Sequence, residues 1–207
     1  MKLVMENAHV RRFVWLESPL APPSLPSPPD LSASLWAPQG SIASLVGYIV
    51  DHHHAHTRSE LKRLAALATG LGEGDRALEG VRDVLDTLTA LDPELRAHMT
   101  KEEAVVFPYI VSLEAHLSLG RVVVRSRFGV LGRPLNAMLD EQCQTQSRLA
   151  FMRSRSGDYT PPRAASAQVC EFYEGLDALE SDLAEHSRLE TDILFARALE
   201  LEQRATA

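Results

Sequence analysis

Two five-residue stretches, HMTKE at residues 98–102 and HSRLE at residues 186–190, each place a histidine four residues before a glutamate. Residues i and i+4 of an α-helix lie one turn apart on the same face, so each pair can present an imidazole nitrogen and a carboxylate oxygen to one point. Two such helices facing each other suit a pair of iron or manganese ions. The stretches therefore predict a metal site in a helical bundle, with the ligands His98, Glu102, His186 and Glu190.

The apolar residues around both stretches repeat with the spacing of bundle helices. The inward positions are separated by three or four residues, alternating strictly in the second predicted helix, and in each helix the histidine and the glutamate occupy consecutive inward positions. In the second predicted helix these positions are Val84, Leu88, Leu91, Leu95, His98, Glu102, Val105 and Tyr109. In the fourth predicted helix they are Val169, Tyr173, Leu176, Leu179, Leu183, His186, Glu190 and Ile193.

Two further helical patterns complete the bundle. The first helix is expected from about residue 41 to 71, and the third begins at Pro134. The inward residues of the first are Val46, Val50, His54, Leu61, Leu64 and Ala68, and those of the third are Leu135, Met138, Gln142, Thr145, Leu149 and Met152. Because no segment shows a convincing strand pattern, the fold class is all-α, an antiparallel up-down four-helix bundle.

Several local features leave alternatives open. Pro93 lies off the inward face of the second helix, where it either kinks the helix or marks its start with Asp92 as the cap. For residues 117–133 we predict a long connection between helices, which can include a short hairpin and carries arginines at its surface. Residues 18–30 hold six of the twelve prolines and predict a linker or a surface strap. The expected organisation is an N-terminal Pro-rich segment (1–38), the bundle (39–200) and a C-terminal tail (201–207).

Composition excludes several classes of protein. The 207 residues fit one domain, and the net charge of −7 gives no basic surface for nucleic acid. No run of eighteen apolar residues occurs, so no membrane span is expected, and residues 1–13 lack the core of a signal peptide. The two cysteines, Cys143 and Cys170, do not form a disulfide framework, so the expected compartment is the cytoplasm. Monomer and homodimer both remain open.

Polar side chains at inward positions are unfavourable unless they are paired or bound. The inward histidines and glutamates therefore favour a metal site. Of the neighbouring histidines, His52 and His56 are expected at the surface or flank, and His53 either there or supporting a ligand. Glu94 and Glu141 are expected on a solvated helix face, with a route for ions or protons as the alternative.

These motifs resemble the hemerythrin-like proteins that repair iron centres, a di-iron family linked to iron-sulfur cluster recovery after oxidative or nitrosative stress. The resemblance covers about residues 41–200 and is carried by the two His-x-x-x-Glu blocks with their Val-Phe and Leu-Phe sequels. It implies two iron ions with an oxo or hydroxo bridge, with manganese or a mixed iron–manganese pair as alternatives. The iron ligands it implies are His54, His98 and His186, with Glu102 and Glu190 as bridges.

One position departs from the family pattern. Relatives carry a further histidine ligand on the third helix directly after a glutamate, and here that pair is Glu141 and Gln142. An amide oxygen binds iron more weakly than an imidazole nitrogen, so we expect Gln142 to leave one iron loosely held or with an open position. Residues 72–75 also lack the histidine that relatives often carry there.

Three functions fit this sequence. The first is a di-iron stress protein that binds O2 or NO, or that supplies iron to iron-sulfur client proteins. The second is a di-iron oxygenase or oxidase that acts on a small molecule at the open position beside Gln142. The third is a helical interaction module whose metal site has decayed. The sequence does not separate them.

Overall fold

Helices account for most of residues 40–120 and 131–206, the parts of the chain that this computed structural model describes. The Pro-rich segment 1–38 and most of the predicted connection 117–133 lie outside the described residues. Within the described residues there is no strand, which confirms the expected all-α class. None of the described helices is long and apolar enough to cross a membrane.

In the described part of the chain, four antiparallel bundle helices form the fold, and three of these contain a π-helical segment. The first comprises α1 (Ile42–Tyr48), a π-helical segment (Ile49–His54) and α2 (Ala55–Gly70), and a short helix α3 (Glu73–Arg76) follows it. The second comprises α4 (Val81–Lys101), a π-helical segment (Glu102–Val106) and α5 (Phe107–Ser118). The third is α6 (Gly132–Arg155) alone. The fourth comprises α7 (Ala167–Arg188), a π-helical segment (Leu189–Phe195) and α8 (Ala196–Thr206).

Local chemistry fixes where these helices begin. The hydroxyls of Ser41 and Ser166 accept hydrogen bonds from backbone amides in the first turns of α1 and α7, which satisfies donors that a helix leaves free. Gly80 precedes α4 with φ of 78°, and a Cβ there would collide with the carbonyl of Arg155. Since α4 begins at Val81 and runs through Pro93, the alternative that Pro93 marks a helix start is wrong.

Two apolar clusters lie at opposite ends of the bundle, with a polar layer between them. One cluster contains Leu61, Leu95, Leu149 and Leu183, and the other contains residues such as Ile49. On each bundle helix, the inward histidine, glutamate or glutamine lies in the sequence between residues of the two clusters. The apolar clusters hold the helices together, and the layer between them is where the candidate ligands meet.

The inward face shifts by one residue in the three helices that contain a π-helical segment. The buried residues there are Leu45 and Ile49 in the first helix, Val106 and Ile110 in the second, and Leu194 in the fourth. The sequence pattern predicts the residues one position away, which are Val46, Val50, Val105, Tyr109 and Ile193. A π-helical turn takes up one extra residue, so a count that assumes regular α-helix falls out of step across it. The third helix has no π-helical segment and keeps the predicted face.

Candidate metal centre

Three of the bundle helices bring donor groups to the polar layer at their π-helical segments. His54 is the last residue of the first such segment, and Glu102 is the first residue of the second. His98 lies in the last turn of α4, directly before that segment. His186 lies in the last turn of α7, and Glu190 follows in the third segment. π-helical turns are frequent at functional sites because they turn side chains away from the regular helical positions.

Four of the predicted ligands converge on one buried point. His54, Glu102, His186 and Glu190 each offer one ligand atom, and these atoms lie within 4.8 Å of one another. The Nε2 atoms of His54 and His186 are 3.2 Å apart, and His186 Nε2 lies 2.8 Å from Glu190 Oε1. His54 Nε2 lies 3.4 Å from Glu102 Oε2. Two imidazoles and two carboxylates at such distances can hold an ion such as iron, manganese or zinc.

The fifth predicted ligand, His98, lies on the other side of Glu102. Its Nε2 is 3.1 Å from Glu102 Oε1. Both oxygens of Glu102 are fully buried and make no hydrogen bond of acceptable geometry. A buried carboxylate without hydrogen bonds is strongly unfavourable, and an ion on either side of Glu102 would satisfy it. The residues present therefore fit a metal site with Glu102 between two positions.

Carboxylates outside the site hold the imidazoles in place. Glu103 accepts a hydrogen bond from His54 Nδ1 at 2.6 Å, and Glu141 accepts one from His98 Nδ1 at 2.9 Å. Arg58 and Lys101 pair with the same two carboxylates. These bonds on Nδ1 leave Nε2 of each ring facing the interior, which is the arrangement that orients histidine ligands in metal sites.

The buried carboxylates favour protonated imidazoles when no ion is bound. Burial by itself lowers the pKa of His54, but the carboxylates of Glu102 and Glu190 outweigh it and raise that pKa to about 10. Burial likewise opposes the effect of Glu102 and Glu190 on His98, whose pKa is raised to about 9. The pKa of Glu190 falls well below its usual range, because His186, His54 and His98 outweigh burial. In the absence of an ion, protons thus balance the negative charge of the layer.

Gln142 meets the site through hydrogen bonds. Its Nε2 donates to Glu190 Oε2 at 2.7 Å, and its Oε1 accepts from the hydroxyl of Thr191 at 3.2 Å. The residue is buried. Gln142 and Thr191 also line a narrow surface cleft of about 10 Å³, together with Leu139, Cys143, Gln146, Ser187, Arg188 and Asp192.

Some residues around the site differ from the expectations. His52 and His56 are exposed, whereas His53 is buried, donates from Nδ1 to Asp182 Oδ1 at 2.9 Å and stacks on His186. Glu141 lies on a partly solvated helix face and in addition supports His98, a contact that the sequence did not predict. The sequence did not lead us to predict a role for Glu103 or Asp182. In both cases an acidic residue next to an inward position could have indicated a hydrogen-bond partner for a histidine.

The comparisons with known proteins agree with this geometry. Residues 46–198 match the hemerythrin HHE cation-binding domain family. The chain is 31% identical over 202 residues to the iron-sulfur cluster repair protein YtfE of Edwardsiella ictaluri, covering 96% of this chain and 84% of that protein. It is 28% identical over 159 residues to the protein of the same name from Escherichia coli O157:H7, covering 76% of this chain and 66% of that protein. This chain belongs to the hemerythrin HHE cation-binding domain family.

Proposed function

We propose that this protein carries iron in its polar layer and supplies it for the repair of damaged iron-sulfur clusters in the cytoplasm during oxidative or nitrosative stress. Its cargo is up to two iron ions, held by His54, His98, His186, Glu102 and Glu190. Non-haem iron with open positions also binds O2 or NO. Either gas can therefore signal stress to the protein or compete with a client protein for the iron. The clients are iron-sulfur proteins, and repair is the role that the names of the YtfE relatives state.

The observation that carries this proposal is the buried carboxylate of Glu102. Its two oxygens lack hydrogen bonds and lie beside imidazole nitrogens of His54 and His98. A carboxylate in this setting would be stabilised most by an ion on each side. Nitrogen and oxygen donors together suit iron.

The chain's own residues favour reversible holding of the ion. The imidazoles of His54 and His98 bind protons when no ion is present, so an ion has to displace these protons to enter the site. The same protons return when the ion leaves, which neutralises the layer and lowers the cost of release. Neutral imidazole and carboxylate donors, without a thiolate among the proposed ligands, are consistent with iron that can be passed on.

The oxygenase or oxidase alternative is less well supported by the shape of the site. The cleft beside Gln142 has a volume of about 10 Å³, which holds about one water-sized molecule. An organic substrate does not fit a cleft of this size. A larger groove of about 300 Å³ is lined by residues such as Ala65 and Leu88 of the first and second bundle helices and not by the donor residues.

The proposed function is tested by cluster repair with purified protein. The chain is loaded with Fe(II) without oxygen, separated from free iron, and mixed with an iron-sulfur enzyme inactivated by peroxide or NO. We expect the enzyme to regain activity faster than with the metal-free chain. The variant E102Q, which removes the charge between the two positions, should carry less iron and restore less activity.

The matched control is H56N, because His56 is an exposed histidine on the same helix as His54 and should not affect repair. Two results would overturn the proposal. One is iron-loaded protein that restores no more activity than the metal-free chain. The other is oxygen uptake coupled to turnover of an organic compound, which would favour the oxygenase.

A further inference from the structure

The two oxygens of Glu190 have different neighbours. Oε1 lies 2.8 Å from His186 Nε2 and 3.9 Å from His54 Nε2. Oε2 accepts a hydrogen bond of 2.7 Å from the amide of Gln142. A carboxylate that bridges two ions needs one oxygen for each, so this hydrogen bond occupies the oxygen that a second ion would require.

Thr191 fixes the direction of the Gln142 amide. Its hydroxyl donates to Gln142 Oε1 at 3.2 Å, so the NH2 group faces Glu190. Turning the amide over would place its oxygen against a carboxylate oxygen and leave the Thr191 hydroxyl without its acceptor. The NH2 group has no lone pair to offer an ion, and Gln142 therefore acts here as a cap on Glu190 and not as a ligand.

The cap makes the two ion positions unequal. The first position has two imidazoles, from His54 and His186, and one oxygen each from Glu102 and Glu190, and these are the four groups that converge within 4.8 Å. The second position has His98 Nε2 beside Glu102 Oε1 at 3.1 Å, and Glu190 Oε2 could serve it only without its hydrogen bond to Gln142. It thus offers two free donors where the first offers four.

We propose that Gln142 makes the second position, beside His98, the weak and exchangeable one, while the first position keeps its ion. An ion in the second position gains the Glu190 oxygen as a further donor only when the Gln142 amide gives up its hydrogen bond to Glu190. Gln142 also lines the surface cleft, so the side chain that caps Glu190 borders a cleft open to solvent. The inference rests on the proposed iron site and identifies which of its two ions is delivered to a client.

The test is an anaerobic titration of the metal-free full chain with Fe(II) against a competing chelator. We expect two dissociation constants that differ by at least about tenfold. H98Q should remove the weaker event and leave the tighter one. Q142A should strengthen the weaker event severalfold by freeing Glu190 Oε2, and Q142H, which adds an imidazole, should strengthen it further.

Q146A is the matched control, because Gln146 lines the same cleft without contact to Glu190, and it should leave both constants unchanged. Circular dichroism before each titration verifies that the variants are folded. Equal affinities in the unmodified chain, or a weaker event that Q142A does not change, would overturn the inference. Two equal ions in a protein that still repairs clusters would leave the proposed function intact, whereas absence of any bound iron would overturn both.

Discussion

At the scale of single residues, the site depends on charge that only an ion or protons can balance. Glu102 and Glu190 are fully buried, and the imidazoles of His54, His98 and His186 lie beside them. Glu103 and Glu141 hold two of these rings by Nδ1, so the rings can gain or lose a proton at Nε2 without turning. The protein is thereby organised for binding before an ion arrives.

The metal-free protein is expected to lose stability as the pH rises from about 7 to 10. The pKa values of His54 and His98 are about 10 and about 9, raised from the ordinary value of 6.5. Their contribution to folding is therefore complete below pH 6.5 and is lost as the pH passes through 9 and 10. Thermal unfolding with a chelator present should give a lower Tm at pH 10 than at neutral pH, by roughly 2–4 °C for each kcal/mol lost.

A variant with both rings replaced, H54Q with H98Q, serves as the comparison and should show a smaller dependence on pH. A Tm that stays constant or rises over the same range would contradict this assignment of protons to the two rings.

At the scale of the helices, the π-helical segments allow the candidate ligands to face the site while the residues beyond them still pack into the apolar core. In the second bundle helix, the regular spacing brings Leu95, His98 and Glu102 to the interior, and the extra residue in the segment Glu102–Val106 then shifts the buried face to Val106 and Ile110. In the first and fourth bundle helices, the π-helical segments that contain His54 and Glu190 shift the buried face in the same way. α6 lacks such a segment and contributes Gln142, which caps a ligand.

Deletion of Ala104 should weaken metal binding more than it weakens folding. Ala104 is exposed within the π-helical segment, and its removal lets a regular α-helix place Glu102, Val106 and Ile110 on one face with spacings of three and four residues. We expect helical content to be retained and affinity for Fe(II) to fall by at least about tenfold, since supporting shifts around metal sites have effects of that size.

The substitution A104S keeps the number of residues and should change neither property, which makes it the control for the deletion. If the deleted chain bound iron as tightly as the unmodified one, the π-helical turn would have no role in directing Glu102.

At the scale of the whole molecule, the candidate ligands link helices within the polar layer that lies between the two apolar clusters. The first bundle helix packs on the fourth and the second on the third. His54, Glu102 and Glu190 bring three of these helices to one point between the clusters. An ion bound there links helices across the layer in which apolar packing is weakest, so binding should stabilise the native state as a whole.

Loading with Fe(II) or Mn(II) is expected to raise the Tm of the full chain. At a free ion concentration of about one hundred times the dissociation constant, binding contributes about 2.7 kcal/mol, which corresponds to roughly 5–10 °C in a domain of this size. Differential scanning calorimetry without oxygen measures the shift, and a chelator should reverse it. E190Q should bind less and show a smaller shift, while a shift of equal size in E190Q would argue against binding in this layer.

The helical class, the four-helix arrangement and the meeting of His54 with the two His-x-x-x-Glu pairs could be predicted because the signal is periodic. An inward face repeats every three or four residues, and a polar residue that keeps this period is visible in the sequence. The shift of that face to Leu45, Val106 and Leu194 could not be predicted in the same way, because a π-helical turn leaves no periodic mark of its own in a single sequence.

The sequence by itself determined that His54, His98, Glu102, His186 and Glu190 face the interior, since hydrophobic periodicity and residue type are local properties. Only the tertiary structure decided that Glu103, Glu141 and Asp182 hold histidines, because each of these contacts joins residues that are far apart along the chain. The same is true of the hydrogen bond between Gln142 and Glu190. Whether an amide offers its oxygen to an ion or its NH2 group to a carboxylate depends on neighbours that packing brings together.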